Sequence, residues 1–229
     1  MCRRLIFWGT LFCLLALPLA YAGFDDGEAA YEKGDYTTAY KEFKDLAEQG
    51  HAGAQFSLGV MYELGNGVPQ DDEEALRWYL EAAQRGNVDA QHNLGYMYAS
   101  GQGVARDYAE ALKWYSKAAE QGNAFAQNAL GWMYSNGQGV ARDEAEALKW
   151  YREAADRGNA FAQNNLGSMY ASGQGAPQDF VLAHMWFNLA AAQGSSDAEA
   201  SRDKLAKEMT PDQVAEAQRL ATEWKPKGK

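Results

Sequence analysis

Cysteine is nearly absent from this chain. The two present, Cys2 and Cys13, both fall in an N-terminal stretch that reads as a leader. Arg3 and Arg4 precede an apolar run from Leu5 to Leu17, and Ala20-Tyr21-Ala22 follows it. That order is the charged region, hydrophobic region and A-x-A cleavage site of a Sec-route signal peptide over residues 1–22. Cleavage there leaves no thiol, so disulfide staples are excluded and packing alone must hold the mature chain together. Long hydrophobic runs are also missing. The Leu5–Leu17 run is short for a membrane span, so no integral membrane segment is expected in the mature chain. Phe12 is too large for the residue before a lipoprotein cysteine, and the surroundings of Arg3-Arg4 fit the twin-arginine route poorly. The expected location is periplasmic or secreted.

Basic residues are scarce, 21 against 31 acidic ones, for a net charge of −10. Cleavage removes Arg3 and Arg4 and no acid, which makes the charge −12. This balance argues against nucleic acid and anionic lipid surfaces, and favours basic partners. Histidine is scarce as well. His51, His92 and His184 occupy different positions of the repeat described below, so no recurring metal ligand is implied. His184 stands where other repeats carry Leu76, Leu112 and Leu148, and is expected to be partly exposed. Ser201-Arg202-Asp203-Lys204 spells S-x-x-K, but the S-D-N and K-T-G elements of penicillin-interacting serine enzymes are absent. There is no H-E-x-x-H, Ser/His/Asp arrangement or nucleotide fingerprint. No catalytic residue, metal or cofactor is expected. The run Asp71-Asp72-Glu73-Glu74 reads as a solvated helix start rather than a cation site.

What the chain does have is a 36-residue period. AQFSLGVMY starts at Ala54, AQHNLGYMY at Ala90, AQNALGWMY at Ala126 and AQNNLGSMY at Ala162. Trp78-Tyr79, Trp114-Tyr115, Trp150-Tyr151 and Trp186-Phe187 repeat in step, and each unit closes on Ala-Ala and a glycine. Four gapless units follow, 51–86, 87–122, 123–158 and 159–194, the signature of stacked supersecondary elements. Ala90, Leu94, Met97 and Tyr98 share one helical face, and Ala111, Trp114, Tyr115, Ala118 and Ala119 share another, so each unit is a helix pair. Asp71/Glu74, Asp107/Glu110 and Asp143/Glu146 have capping-box spacing at the second helix.

A Gly-x-Gly lies between the helices of every unit, as in Gly137-Gln138-Gly139. A phosphate loop needs a strand before it and is needed once. This one follows a helix four times, so it is read as a turn with a left-handed helix-ending glycine. The ends differ from the middle. Residues 23–50 form a shorter helix pair turned at Gly34-Asp35, an N-terminal capping unit. Residues 195–224 are C-terminal capping helices, the last opened by Thr210-Pro211-Asp212-Gln213 with a stripe of Val214, Ala217, Leu220, Ala221 and Trp224. Residues 225–229 are expected to be a disordered tail.

The pattern A-Q-x-x-L-G-x-M-Y-x-x-G-x-G-V-x-x-D, then A-L-x-W-Y-x-x-A-A-x-x-G, resembles the Sel-1-like repeat, a relative of the tetratricopeptide repeat. MTPDQVAEAQRLATEW resembles the capping helix of bacterial members. The resemblance implies an all-α fold, a right-handed α/α superhelical solenoid, used mostly as a protein-binding scaffold with its first helices lining the concave side. Some exported members carry a disulfide in each repeat and have been linked to β-lactam binding or slow hydrolysis; without cysteines, those attributes do not carry over.

Comparison of the repeats with one another locates a recognition face. Invariant positions serve stacking, while variable ones on the first helices are free to meet a ligand. The variable residues are Gly53, Phe56, Ser57 and Val60; Asp89, His92, Asn93 and Tyr96; Phe125, Asn128, Ala129 and Trp132; and Phe161, Asn164, Asn165 and Ser168. Their i, i+3/i+4, i+7 spacing puts them on one face. The candidate binding residues are Tyr96, Trp132, His92, Asn93, Asn128, Asn164, Asn165, Phe125 and Phe161. Aromatic anchors dominate interface energy, and Asn amides match a peptide backbone's donor and acceptor. Phe125 and Phe161 begin their helices and would also serve for packing on the preceding unit. The expectation is a non-enzymatic protein- or peptide-binding scaffold, most simply a monomer, although exposed aromatics would equally support self-association. The alternatives are an envelope enzyme, such as a weak β-lactam or peptidoglycan hydrolase, and a structural spacer.

Overall fold

The structure, a computed structural model, describes the backbone of residues 16–227 and the side chains of residues 23–227. Most of the expected signal peptide lies outside the described residues, as do the last two residues of the expected tail. Among the described residues there are twelve α-helices and no strand: α1 Ala16–Glu32, α2 Tyr36–Glu48, α3 Ala52–Leu64, α4 Asp72–Gln84, α5 Val88–Ser100, α6 Tyr108–Glu120, α7 Ala124–Asn136, α8 Glu144–Asp156, α9 Ala160–Ser172, α10 Phe180–Ala192, α11 Ser196–Ala206 and α12 Pro211–Glu223. Helix α1 runs through the expected cleavage junction. The helices fall into two compact units, one ending at Ala90 and the other beginning at Gln91.

The repeat boundaries follow from backbone chemistry. Gly65, Gly137 and Gly173 end α3, α7 and α9 in the left-handed region, at φ of +70°, +66° and +73°, each donating its N–H to a methionine carbonyl one turn back. The second glycine of the loop has a different cause. A Cβ on Gly67 would stand 2.8 Å from the Tyr36 carbonyl oxygen, and one on Gly139 would stand 2.5 Å from that of Tyr108. Tyr36 and Tyr108 open the second helix of the preceding pair, so the loop lies against that helix start. The Gly-x-Gly is therefore a turn and a stacking contact at once.

Asp71, Asp107 and Asp143 cap α4, α6 and α8, each accepting two backbone N–H groups of the first turn at 2.9–3.1 Å. Such a cap contributes about 1 kcal/mol. Only half of the expected capping box forms. The N–H of each cap already donates to a tyrosine carbonyl of the first helix, Tyr62, Tyr98 or Tyr134. Glu74, Glu110 and Glu146 turn instead to Arg77, Lys113 and Lys149 one turn on. At α12 the box is complete: Thr210 accepts from the Gln213 N–H, and the Gln213 side chain accepts from the Thr210 N–H.

Within a pair the helices approach closely at the glycine of Leu-Gly. A Cβ at Gly59, Gly95, Gly131 or Gly167 would stand 2.5–2.7 Å from the ring of Tyr79, Tyr115, Tyr151 or Phe187 respectively. Between pairs, the invariant glutamine ties the stack. Gln55, Gln127 and Gln163 are buried and donate to the carbonyls of Ala47, Ala119 and Ala155, at the C-terminal end of the preceding helix. Each of those carbonyls also accepts the N–H of the glycine three residues on, Gly50, Gly122 or Gly158, at 2.9 Å. In the first unit the core is built on Phe43, Leu46, Leu58, Met61 and Trp78. In the second, one core runs from Ala147 to Ala221, and Leu94, Met97 and Leu130 are also fully enclosed.

The expectation for His184 fails. Its side chain is 3% exposed, because α11 and α12 close over α10 where other repeats meet a further repeat. Of the stripe expected on α12, Ala217 and Ala221 are buried while Val214, Leu220 and Trp224 are half-buried. Beyond α12 the chain turns back on α8. The Lys227 N–H donates to the Asp156 carbonyl at 2.7 Å, and its Nζ meets Asp156 Oδ2 at 2.6 Å.

Candidate functional site

The candidate residues sit on α5, α7 and α9, the first helices of three successive pairs in the second unit. Each of α7 and α9 starts on an asparagine cap, Asn123 or Asn159, that accepts the N–H three residues on at 2.9 Å. The buried side of α7 is Ala126, Gln127, Leu130, Gly131 and Met133; on α9 it is the equivalent set with Tyr170. Burial of those positions fixes the helix rotation. Phe125, Asn128 and Trp132 are left on the opposite side, with Phe161, Asn164, Asn165 and Ser168 matching them one repeat on.

Exposure follows that geometry. Phe161 is 68% exposed, Phe125 57%, Tyr96 51% and Trp132 44%. Apart from Leu64, these are the large hydrophobic side chains that stand exposed among the described residues. Exposed apolar surface is thus gathered on the first helices of the second unit, rather than scattered as on an ordinary soluble surface.

Neighbouring helices are linked across this face. The His92 ring of α5 lies 6.0 Å from the Phe125 ring of α7 and 5.8 Å from Tyr115 beneath it. His92 Nδ1 is 3.1 Å from Asn93 Oδ1. Asn165 Nδ2 of α9 donates to Asn128 Oδ1 of α7 at 3.1 Å. The structure therefore brings His92, Asn93 and Phe125 together, and Asn128 with Asn165. Phe125 packs on the preceding pair and still presents half its surface to solvent. Asn164 differs from the other amides: its Oδ1 is buried and has no hydrogen-bond partner among the described residues. Burial pushes the phenol of Tyr115 well above its ordinary value, so a neutral ring underlies His92.

The face offers aromatic surface and amide donors and acceptors. Among the described residues no three His, Cys, Asp or Glu side chains converge as metal ligands. Lys204 of the S-x-x-K string stands exposed on α11, whereas a lysine base works from a desolvated site. No helix among the described residues is long and apolar enough to cross a membrane.

The pattern of helix lengths, loop glycines and stacking glutamines has a counterpart among known proteins. The Sel1 repeat family matches residues 52–87, 88–123, 124–159 and 160–195, the same period as the units above displaced by one residue. This chain belongs to the Sel1 repeat family. It is similar to a protective antigen present in uropathogenic Escherichia coli strains, which displays an SLR fold. The two are 37% identical with a TM-score of 0.79, over 91% of this chain and 46% of that one. A Sel1 repeat protein from Oxalobacter formigenes is 31% identical with a TM-score of 0.76, over 88% of this chain and 85% of the other. An exopolysaccharide production negative regulator of Rhizobium leguminosarum bv. viciae is 41% identical over 58 residues, 25% of this chain and 22% of its own length. The chain thus spans about a fifth of that curated relative and under half of the E. coli antigen. The fold of this Sel1 protein is an all-α solenoid of 36-residue helix pairs, a scaffold compatible with protein interaction.

Sequence reasoning missed two features of this Sel1 protein. One is the orphan oxygen of Asn164, which depends on packing depth and leaves no sequence signal. The other is a cavity of about 280 Å³ in the first unit, lined by Glu28, Tyr31, Glu32, Phe43, Phe56, Ser57 and Val60. Phe56, Ser57 and Val60 were legible as variable positions. Glu28, Tyr31 and Glu32 carry the i, i+3, i+4 spacing of one helical face, the signal that would have added them.

Proposed function

We propose that this protein is a non-enzymatic scaffold of the cell envelope or its surroundings. It binds a protein or peptide on the face formed by α5, α7 and α9. The observation that carries the reading is the concentration of Tyr96, Phe125, Trp132 and Phe161 on that one face, interleaved with the amides of Asn93, Asn128, Asn164 and Asn165. Rigid aromatic rings supply interface energy at low entropic cost. The amides supply donors and acceptors for a main chain. The acidic balance of the chain favours a basic partner by electrostatic steering. Export by the Sec route, supported by the leader-like residues 1–22, would place the partner in the periplasm or outside the cell.

The test is crosslinked affinity capture from envelope extract with the parent protein and with a Tyr96→Ala/Asn128→Ala/Trp132→Ala variant of unchanged circular dichroism. A species held by the parent and lost from the variant supports the face. Identical capture by both refutes it.

A further inference from the structure

The cavity of the first unit has its own chemistry, separate from the face on α5, α7 and α9. Its walls are aromatic and rigid. The Tyr31 hydroxyl accepts from Asn66 Nδ2 at 2.8 Å, and its ring meets Tyr36 edge-on at 5.1 Å. Phe43 is buried against Phe24, ring centroids 5.6 Å apart, and a Cβ on Gly27 would stand 2.6 Å from its ring. Phe56 packs on Tyr79 at 5.7 Å. Each ring is thus fixed before any ligand arrives, which lowers the entropy lost on binding.

Two carboxylates complete the cavity. Glu28 and Glu32 lie one turn apart on α1, a spacing at which like charges repel. Among the described residues neither has an ion-pair partner. Three glutamates elsewhere in this protein do have a cation one turn on, Glu74 with Arg77 at 2.8 Å, Glu110 with Lys113 at 3.2 Å and Glu146 with Lys149 at 3.0 Å. Glu28 and Glu32 present two uncompensated charges to a pocket whose remaining lining is the rings of Tyr31, Phe43 and Phe56, an aliphatic stem (Val60) and a hydroxyl (Ser57).

We propose that this cavity seats a cationic side chain of a peptide partner, an arginine guanidinium. The ring faces attract a cation through their quadrupoles. The planar guanidinium can stack on them while its N–H fork reaches the carboxylates, and its methylene stem lies along Val60. A neutral side chain of the same shape would leave both carboxylates uncompensated. The inference rests on the scaffold function for the source of the arginine, but on no residue of the α5, α7 and α9 face.

The experiment titrates acetyl-arginine amide, and the neutral isostere acetyl-citrulline amide, into the nitrogen-15-labelled protein. Chemical shifts are followed by NMR. The expected result is saturable shifts for residues 28–32 and 56–60 with the arginine probe, and binding of the citrulline probe about tenfold weaker or absent. Glu28→Gln/Glu32→Gln is expected to weaken the arginine probe about tenfold while melting at the same or a higher temperature, since it removes a repulsion and breaks no contact. Equal binding of the two probes would overturn the proposal. So would unchanged affinity in the Gln variant, shifts confined to other residues, or no shift at all. The Tyr96→Ala/Asn128→Ala/Trp132→Ala variant should bind the arginine probe like the parent. Failure of the recognition face and failure of the cationic seat are therefore read separately.

Discussion

Gly137 and Gly139 lie in one loop with nearly the same backbone, φ of +66° and +69°, so an alanine at either carries the same left-handed strain. That strain is worth about 1 kcal/mol. The surroundings differ. A Cβ at Gly137 would be in ordinary contact, 3.4 Å from the Arg142 nitrogen, whereas one at Gly139 would stand 2.5 Å from the Tyr108 carbonyl oxygen and 2.6 Å from its carbon. Tyr108 is the first residue of α6, and its backbone cannot rotate away as a flexible side chain could. The loop must lift from the preceding pair, an overpacking cost of about 1–3 kcal/mol. Gly137→Ala should therefore destabilise by about 1 kcal/mol and Gly139→Ala by about 2–4 kcal/mol. Urea denaturation followed by circular dichroism checks this, with both variants compared at one probe because repeat arrays can unfold in parts. Equal midpoints for the two variants would show that the second glycine serves the turn alone, and the stacking argument would fall.

Asp143→Ala should cost about 1 kcal/mol in the same assay, and Glu146→Gln under about 0.5 kcal/mol, because the aspartate caps α8 while the glutamate makes an exposed ion pair. Gln163→Ala removes a buried amide that donates to Ala155 at 3.3 Å and accepts from Gln193 at 2.8 Å. It should lower stability by about 1–3 kcal/mol, measured by thermal melting. His184→Leu restores the residue type of the other repeats and should raise the melting temperature, since the buried Nδ1 has no partner among the described residues. Burial and then the nearby Arg202 hold the His184 imidazole below its ordinary value of 6.5, with Asp203 opposing. The unfolded chain therefore binds this proton first, so stability is complete above about pH 6.5 and is lost as pH falls below it. A parent minus variant difference in melting temperature that is flat between pH 7 and 5 would refute this.

The fold was legible because the same contacts recur every 36 residues. Ala, Leu and Met of the first helix, the loop glycines and the Asp caps announce themselves four times, and each has a local cause that survives translation along the chain. What was not legible depends on where translation stops. His184 stands at the position of Leu148, which is itself buried; the polar residue type suggested exposure, but α11 and α12 pack on α10 and bury it. The glutamate half of the capping box was misread because the Asp N–H is taken by a carbonyl nine residues earlier, a bond made by the whole loop. On the candidate face, the spacing alone placed Tyr96, Phe125, Trp132 and Phe161 together. The pairing of Asn165 with Asn128, and the solitude of Asn164 Oδ1, depend on the approach of α7 and α9 to within a hydrogen bond, which spacing does not encode.

The repeats also act as one another's controls, which marks the structural positions without any other sequence. Where all four agree, a contact explains the agreement. The glycine after leucine meets an aromatic ring every time, and when tyrosine changes to Phe187 the ring is kept and only the hydroxyl goes. That hydroxyl has no common task to lose: at Tyr79 it donates to Glu63 Oε2 at 2.5 Å, at Tyr115 burial and then the nearby Tyr96 raise the phenol's proton affinity, and at Tyr151 burial raises it. Where the four disagree, packing places no demand. The position of Val60, Tyr96, Trp132 and Ser168 is half-buried or exposed in each, and its occupants span an aliphatic, two aromatics and a hydroxyl. A spacer under no demand but solubility would fill such positions with charge, as it fills the outer positions of α4, α6 and α8. Tyr96 and Trp132 instead leave apolar surface in water at a cost of about 25 cal/mol for each Å². Under the proposed function, a partner that covers them recovers that cost.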